Sequence, residues 1–84
     1  MTRTWWNKPV TVETQKVGER LSINSVEGAT EYLLQGWPAA GKGRAFKVAK
    51  KALLDAYDGK IEAENAREAF IAALKESNIY IFDE

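Results

Sequence analysis

The chain reads as an α+β fold: a small β-hairpin and a C-terminal strand forming a three-stranded antiparallel sheet, packed on three helices. Three observations predict it. Two short stretches alternate apolar and polar residues on either side of a glycine-containing connection. Three later segments have helical periodicity bounded by start and stop signals, and an apolar β-prone run follows the last of them. With 84 residues there is room for one modest core. Residues 1–84 are therefore expected to form a single compact domain, with 1–8 as its loosest part.

The first strand is expected at Val10-Thr11-Val12-Glu13 and its partner at Leu21-Ser22-Ile23-Asn24, with Gly18 near the turn between them. Pro9 lies just ahead of the first strand, where its missing N–H does little harm. One of Trp5 and Trp6 should cover the hairpin's apolar face or a helix edge.

Ser25 is a good N-cap for a helix starting at Val26, and Asn24 with Glu27 offers an alternative capping box. Ala29, Tyr32 or Leu33, and Gly36 or Trp37 follow at helical intervals. Gly28 inside this helix costs about 1 kcal/mol relative to Ala, which suggests a close neighbour. Gly36 and Pro38 stop the helix.

The second helix should run from Lys42 or Gly43 to Asp58, closed by Gly59, with Phe46, Ala49, Leu53, Ala56 and Tyr57 as its buried stripe. The third should run from Glu62 to Ser77, with Ala63, Ala66, Phe70, Ala73 and Leu74 inward and Asn78 as a left-handed C-cap. Ile79-Tyr80-Ile81-Phe82 should add the third strand, since a lone hairpin is marginal in water.

Composition narrows the chemistry. There is no cysteine, so disulfides, thiolate metal sites and thiol nucleophiles are excluded, and no histidine, the commonest general base near neutral pH. No run approaches the roughly 18 apolar residues of a spanning helix, and the N-terminus lacks the apolar core of a signal peptide. These features predict a cytoplasmic protein with no membrane partner. Formal net charge is +0, yet the chain is locally polarised. Lys42, Arg44, Lys47, Lys50 and Lys51 cluster with no acid between Glu31 and Asp55, and Asp55, Asp58, Glu62, Glu64 and Glu68 follow.

Gly36-Trp37-Pro38-Ala39-Ala40-Gly41-Lys42-Gly43 nearly spells a phosphate loop, G-x-x-x-x-G-K-[ST], with Gly43 in place of the last residue. A phosphate loop needs a strand before it and a hydroxyl for Mg²⁺ after its lysine. Here a helix precedes it, Gly43 has no hydroxyl, and Pro38 removes an N–H. The stretch reads as a helix-to-helix connection. Lys42, Arg44 and Lys47 nevertheless begin a helix that ends in Asp55 and Asp58, charges opposed to the macrodipole at both ends. Arg44, Lys47, Lys50 and Lys51 form a basic strip. It is either a solvated face paired with Glu27, Glu31 or the third helix's acids, or a site for an anion, nucleic-acid phosphates or an acidic partner.

Other patterns dissolve on inspection. Aligning Gly59 with the invariant glycine of a calcium-binding loop puts Leu54, Ala56 and Asn65 at ligand positions, so calcium binding is not expected. Asp55, Asp58 and Glu62 read as a solvated face, Ser22, Ser25 and Ser77 lack a base, and Trp5, Trp6 and Trp37 read as core or edge cover.

Pro9-Val10-x-Val12, Ser25-Val26-Glu27-x-Ala29, Leu33-Leu34-x-x-Trp37-Pro38 and Ala66-Arg67-x-Ala69-Phe70 with Ala72-Ala73 occur in an order that resembles a family of short alphaproteobacterial proteins, the domain of unknown function 982 family. The resemblance covers about Trp6 to Ile79. Gly28 departs from it, standing where a charged helix former is expected. It implies a single compact domain in a bacterial cytoplasm and brings no catalytic, cofactor or binding residues with it. Together these readings predict a non-enzymatic interaction or regulatory module without metal or cofactor. Its open sheet edge could pair with a second copy in a homodimer. The alternative is a nucleic-acid or anion binder using Lys42, Arg44, Lys47, Lys50 and Lys51.

Overall fold

In a computed structural model, which describes residues 4–14, 18–37 and 43–83, the alternating stretches pair as antiparallel strands β1 (Trp5–Glu13) and β2 (Arg20–Ser25). Val10 lies opposite Ile23 and Val12 opposite Leu21, so the buried side chains of both strands fall on one face. A short strand β3 (Ile81–Asp83) pairs antiparallel with the other side of β1, giving the order β2-β1-β3. The three-stranded sheet on three helices is the α+β arrangement expected.

β1 is longer than its alternation predicts. It reaches back through Pro9 to Trp5, which lies opposite Ser25. Between Trp5 and Val10 the register shifts, because β1 there holds more residues than β2. Pro9 falls in that irregular stretch, where no regular ladder bond is asked of its missing N–H.

Helix α1 (Val26–Gln35) starts as the sequence predicts: Ser25 Oγ accepts from the Gly28 N–H at 3.0 Å. A second first-turn donor, the Val26 N–H, reaches the Thr4 carbonyl at 2.8 Å and ties the helix to the start of β1. Gly28 lies close to Ser25 and Ile23: a Cβ there would stand 3.2 Å from Ser25 Oγ.

Helices α2 (Arg44–Tyr57) and α3 (Ala63–Glu76) end alike. After α2, the Lys60 N–H bonds the Asp55 carbonyl at 2.8 Å and the Gly59 N–H bonds Ala56 at 3.1 Å. After α3, Ile79 bonds Leu74 at 2.9 Å and Asn78 bonds Lys75 at 3.2 Å. Both are Schellman endings, with Gly59 (φ 83°) and Asn78 (φ 58°) in the left-handed region each requires. Because Ile79 is used in this turn, β3 begins at Ile81, two residues later than the β-prone run suggests.

The core lies between the sheet and the helices, with Phe70 of α3 at its centre. Its ring centroid is 5.8 Å from Trp6, 6.2 Å from Tyr32 and 6.1 Å from Trp37. Trp37 in turn meets Phe46 at 5.4 Å. Trp6 is therefore the core tryptophan of the N-terminal pair, and Trp5 is exposed. All five expected inward residues of α3 are buried, as are Phe46, Ala49, Leu53 and Ala56 of α2. Tyr57 is a correction: it stands at the margin of the α2 stripe and is 59% exposed. α2 packs chiefly against α3 and only lightly against α1, which leaves its α1-facing side open. Arg67 is buried within α3, where its Nε donates to the Lys8 carbonyl at 2.9 Å and fastens α3 to β1.

Candidate interaction surface

The basic strip is distributed along α2. Arg44 begins the helix, and Lys47, Lys50 and Lys51 project from it into solvent; Lys42 lies outside the described residues. Lys51 Nζ pairs with Asp55 Oδ2 at 3.2 Å, one turn along the same helix, and not with an acid of α1 or α3. Among the described residues Arg44, Lys47 and Lys50 make no ion pair. The Pro38–Lys42 portion of the near-phosphate-loop also lies outside the described residues, and the element leading into it is helix α1.

The apparent charge reversal at the start of α2 is offset from elsewhere in the fold. Glu76, the last residue of α3, turns its carboxylate to the first turn of α2 and accepts from the Ala45 N–H at 3.1 Å. Gly43, the N-cap, offers no side chain for this purpose. It offers room instead: a Cβ at Gly43 would stand 2.7 Å from Glu76 Oε1. The negative charge suited to this helix start thus arrives from another helix.

Among the described residues the exposed large hydrophobic side chains are Trp5, Leu21, Leu34, Val48, Leu54, Tyr57 and Tyr80. Three of them share one feature. Leu34 of α1 (64% exposed) and Leu54 and Tyr57 of α2 (52% and 59%) line an open groove of about 410 Å³ between the two helices. Glu27, Thr30, Glu31 and Gln35 complete its α1 wall, and Leu53 forms part of its α2 wall. Each helix carries a leucine doublet here. Leu33 and Leu53 turn inward (2% and 1% exposed), while Leu34 and Leu54, about 100° further round their helices, fall outside the buried stripe. The doublets are visible in the sequence, but only the packing of α1 beside α2 brings their exposed members to one surface.

A second groove, about 310 Å³, runs between β2 and α1 and is lined by Leu21, Ile23, Tyr32 and Gly36 among others. β2 is at the sheet edge, but it is six residues long and exposes Arg20, Ser22 and Asn24, a short polar edge of the kind that discourages strand pairing. Tyr32 sits beneath this groove, and burial raises its phenol above the ordinary value. Its hydroxyl lies 3.4 Å from the Glu13 carbonyl.

Among the described residues no three acidic side chains gather as a metal site would require, and no helix is long and apolar enough to cross a membrane. Neither a curated protein nor a solved structure matches the chain. The model of one family, described as protein of unknown function DUF982, matches residues 8–81. That span takes in β1 from Lys8, all three helices and the start of β3, so the chain belongs to the domain of unknown function 982 family.

Proposed function

We propose that the protein is a non-enzymatic interaction module of the bacterial cytoplasm whose working surface is the apolar groove between α1 and α2. One observation carries this reading: Leu34, Leu54 and Tyr57 converge on a single groove while remaining more than half exposed. Contiguous exposed apolar surface rimmed by polar residues is characteristic of sites that bind another protein. The absence of histidine and cysteine from the sequence also supports a role without catalysis.

Site-specific photo-crosslinking tests it. A photoreactive residue at Tyr57 should give a light-dependent adduct in cells that disappears when Leu54→Glu is added. The same residue at Glu68, exposed on α3, should give none. Leu54 is exposed, so Leu54→Glu should leave the urea midpoint nearly unchanged. No adduct at Tyr57, or an adduct indifferent to Leu54→Glu, would refute the reading.

A second reading has its own observation. Arg44, Lys47 and Lys50 make no ion pair among the described residues, and such cations suit nucleic-acid phosphates. It is the less favoured, because Glu76 already holds the first-turn N–H of Ala45 that a phosphate would use. Retention of a mixed DNA pool that falls steeply with salt, and is lost in a Lys47→Glu/Lys50→Glu variant, would support it over the first.

A further inference from the structure

We infer that the occupant of the α1–α2 groove is a second copy of the same chain, docked about a two-fold axis so that α1 of each copy lies against α2 of the other. The inference rests on the reading of the groove as the working surface. Its basis is the segregation of charge around the apolar centre. α1 carries Glu27 and Glu31 and no lysine or arginine. α2 carries Arg44, Lys47, Lys50 and Lys51 against a single acid, Asp55.

The helical spacing puts these charges beside the apolar residues. Glu27 and Glu31 lie seven and three positions before Leu34, so they share its exposed face. Lys47 and Lys50 lie seven and four positions before Leu54 and share its exposed face of α2, beyond the residues that line the groove. The groove's α1 wall is therefore acidic, while its α2 wall is apolar and continues, about one and two turns toward the start of α2, into the basic Lys50 and Lys47.

Within one chain the acidic and basic faces do not neutralise each other. Glu27 Oε2 accepts from the Thr4 hydroxyl at 3.1 Å, and among the described residues Glu31, Lys47 and Lys50 make no ion pair. A two-fold rotation exchanges the two helices, bringing the acidic helix of one copy to the basic helix of the other, twice per dimer. An isologous interface requires this kind of self-complementary patch. A polyanion would meet Glu27 and Glu31, and a polycation would meet Lys47 and Lys50; a second copy matches both. With a formal net charge of +0, two copies also approach without net repulsion.

The test is sedimentation equilibrium of the full chain from about 1 μM to about 1 mM, a range that brackets weak and moderate dimers. The wild type should reach twice the 9.4 kDa chain mass, and its dissociation constant should rise as salt screens the cross-helix pairs. Glu31→Lys and Lys50→Glu should each weaken the dimer about tenfold, because each sets like charges against one another across the axis. Both positions are exposed and unpaired among the described residues, so both variants should keep the wild-type circular dichroism spectrum. An equimolar mixture of the two variants should dimerise as well as wild type, since each supplies the charge the other lacks. Rescue by mixing cannot come from a contact within one chain.

A wild type that is monomeric up to about 1 mM, or variants that do not rescue one another, would overturn the inference. A dimer indifferent to Leu54→Glu would overturn it too. The crosslink at Tyr57 separates this failure from that of the underlying reading. An adduct with a different protein removes the second copy and leaves the groove as an interaction surface; no adduct removes both.

Discussion

Replacing Glu76 with alanine isolates the contact that sets the start of α2. The wild-type carboxylate accepts from the Ala45 N–H at 3.1 Å, in the place an N-cap side chain would occupy, because Gly43 has none to offer. Losing a capping acceptor costs about 1 kcal/mol. The charge adds about 0.3–1 kcal/mol at the positive end of α2, but Glu76 is also the last residue of α3, where a negative charge is unfavourable by a similar amount. The two dipole contributions nearly cancel and the hydrogen bond remains. Glu76→Ala should therefore lose about 1 kcal/mol, equivalent to about 4–8 °C in Tm for a domain of this size. Glu76→Gln keeps an acceptor oxygen and removes the charge, so it should stay within about 0.5 kcal/mol of wild type. Urea melts followed by tryptophan fluorescence and far-ultraviolet circular dichroism measure both. If Glu76→Ala leaves stability unchanged, or Glu76→Gln is as damaging as Glu76→Ala, the cap does not operate.

Two further outcomes follow from the core. Phe70→Ala removes the ring that meets Trp6, Tyr32 and Trp37 and should cost about 3–5 kcal/mol in urea melts; a loss below about 1 kcal/mol would contradict its central place. Tyr32 contributes to the alkaline limb of stability. Burial raises its phenol above 10.0, so the unfolded chain ionises first. The stability it contributes is whole below pH 10 and is lost as pH rises through the raised folded-state value. Tyr32→Phe should flatten that loss in urea midpoints taken across the alkaline range, and identical alkaline profiles for the two proteins would contradict the assignment.

Features decided by near neighbours were legible in the sequence. Ser25 caps the residue three positions on, and Gly59 and Asn78 close helices through bonds spanning at most five positions. Periodicity likewise placed Phe70, Leu74 and Leu53 inward. Features decided across the fold were not legible. The charges along α2 look reversed when that helix is read alone, because the compensating carboxylate comes from 31 residues away. Arg67 would ordinarily be assigned to solvent, yet the Lys8 carbonyl, 59 residues distant, holds it inside. Tyr57 has the spacing of a core residue, but whether it is covered depends on how closely α1 approaches. For the candidate surface, the basic strip was visible and the apolar groove was not. A leucine doublet does not by itself say which member faces outward, and only packing shows that two such leucines lie on the same groove.

The position of β1 in the sheet implies an order of assembly. Val12 pairs with Leu21 on one side and with Ile81 on the other, partners 9 and 69 positions away. Closing the longer loop costs about 1.8 kcal/mol more in chain entropy than closing the shorter one. The hairpin can form at once from local chain. The second seam depends on α2 and α3 having folded, which draws the chain in and delivers β3 from the turn at Asn78. β3 is three residues long and repays little of that closure. It is therefore the last strand to join and the first to leave, so the backbone amides shared by β1 and β3 exchange with solvent sooner than those shared by β1 and β2.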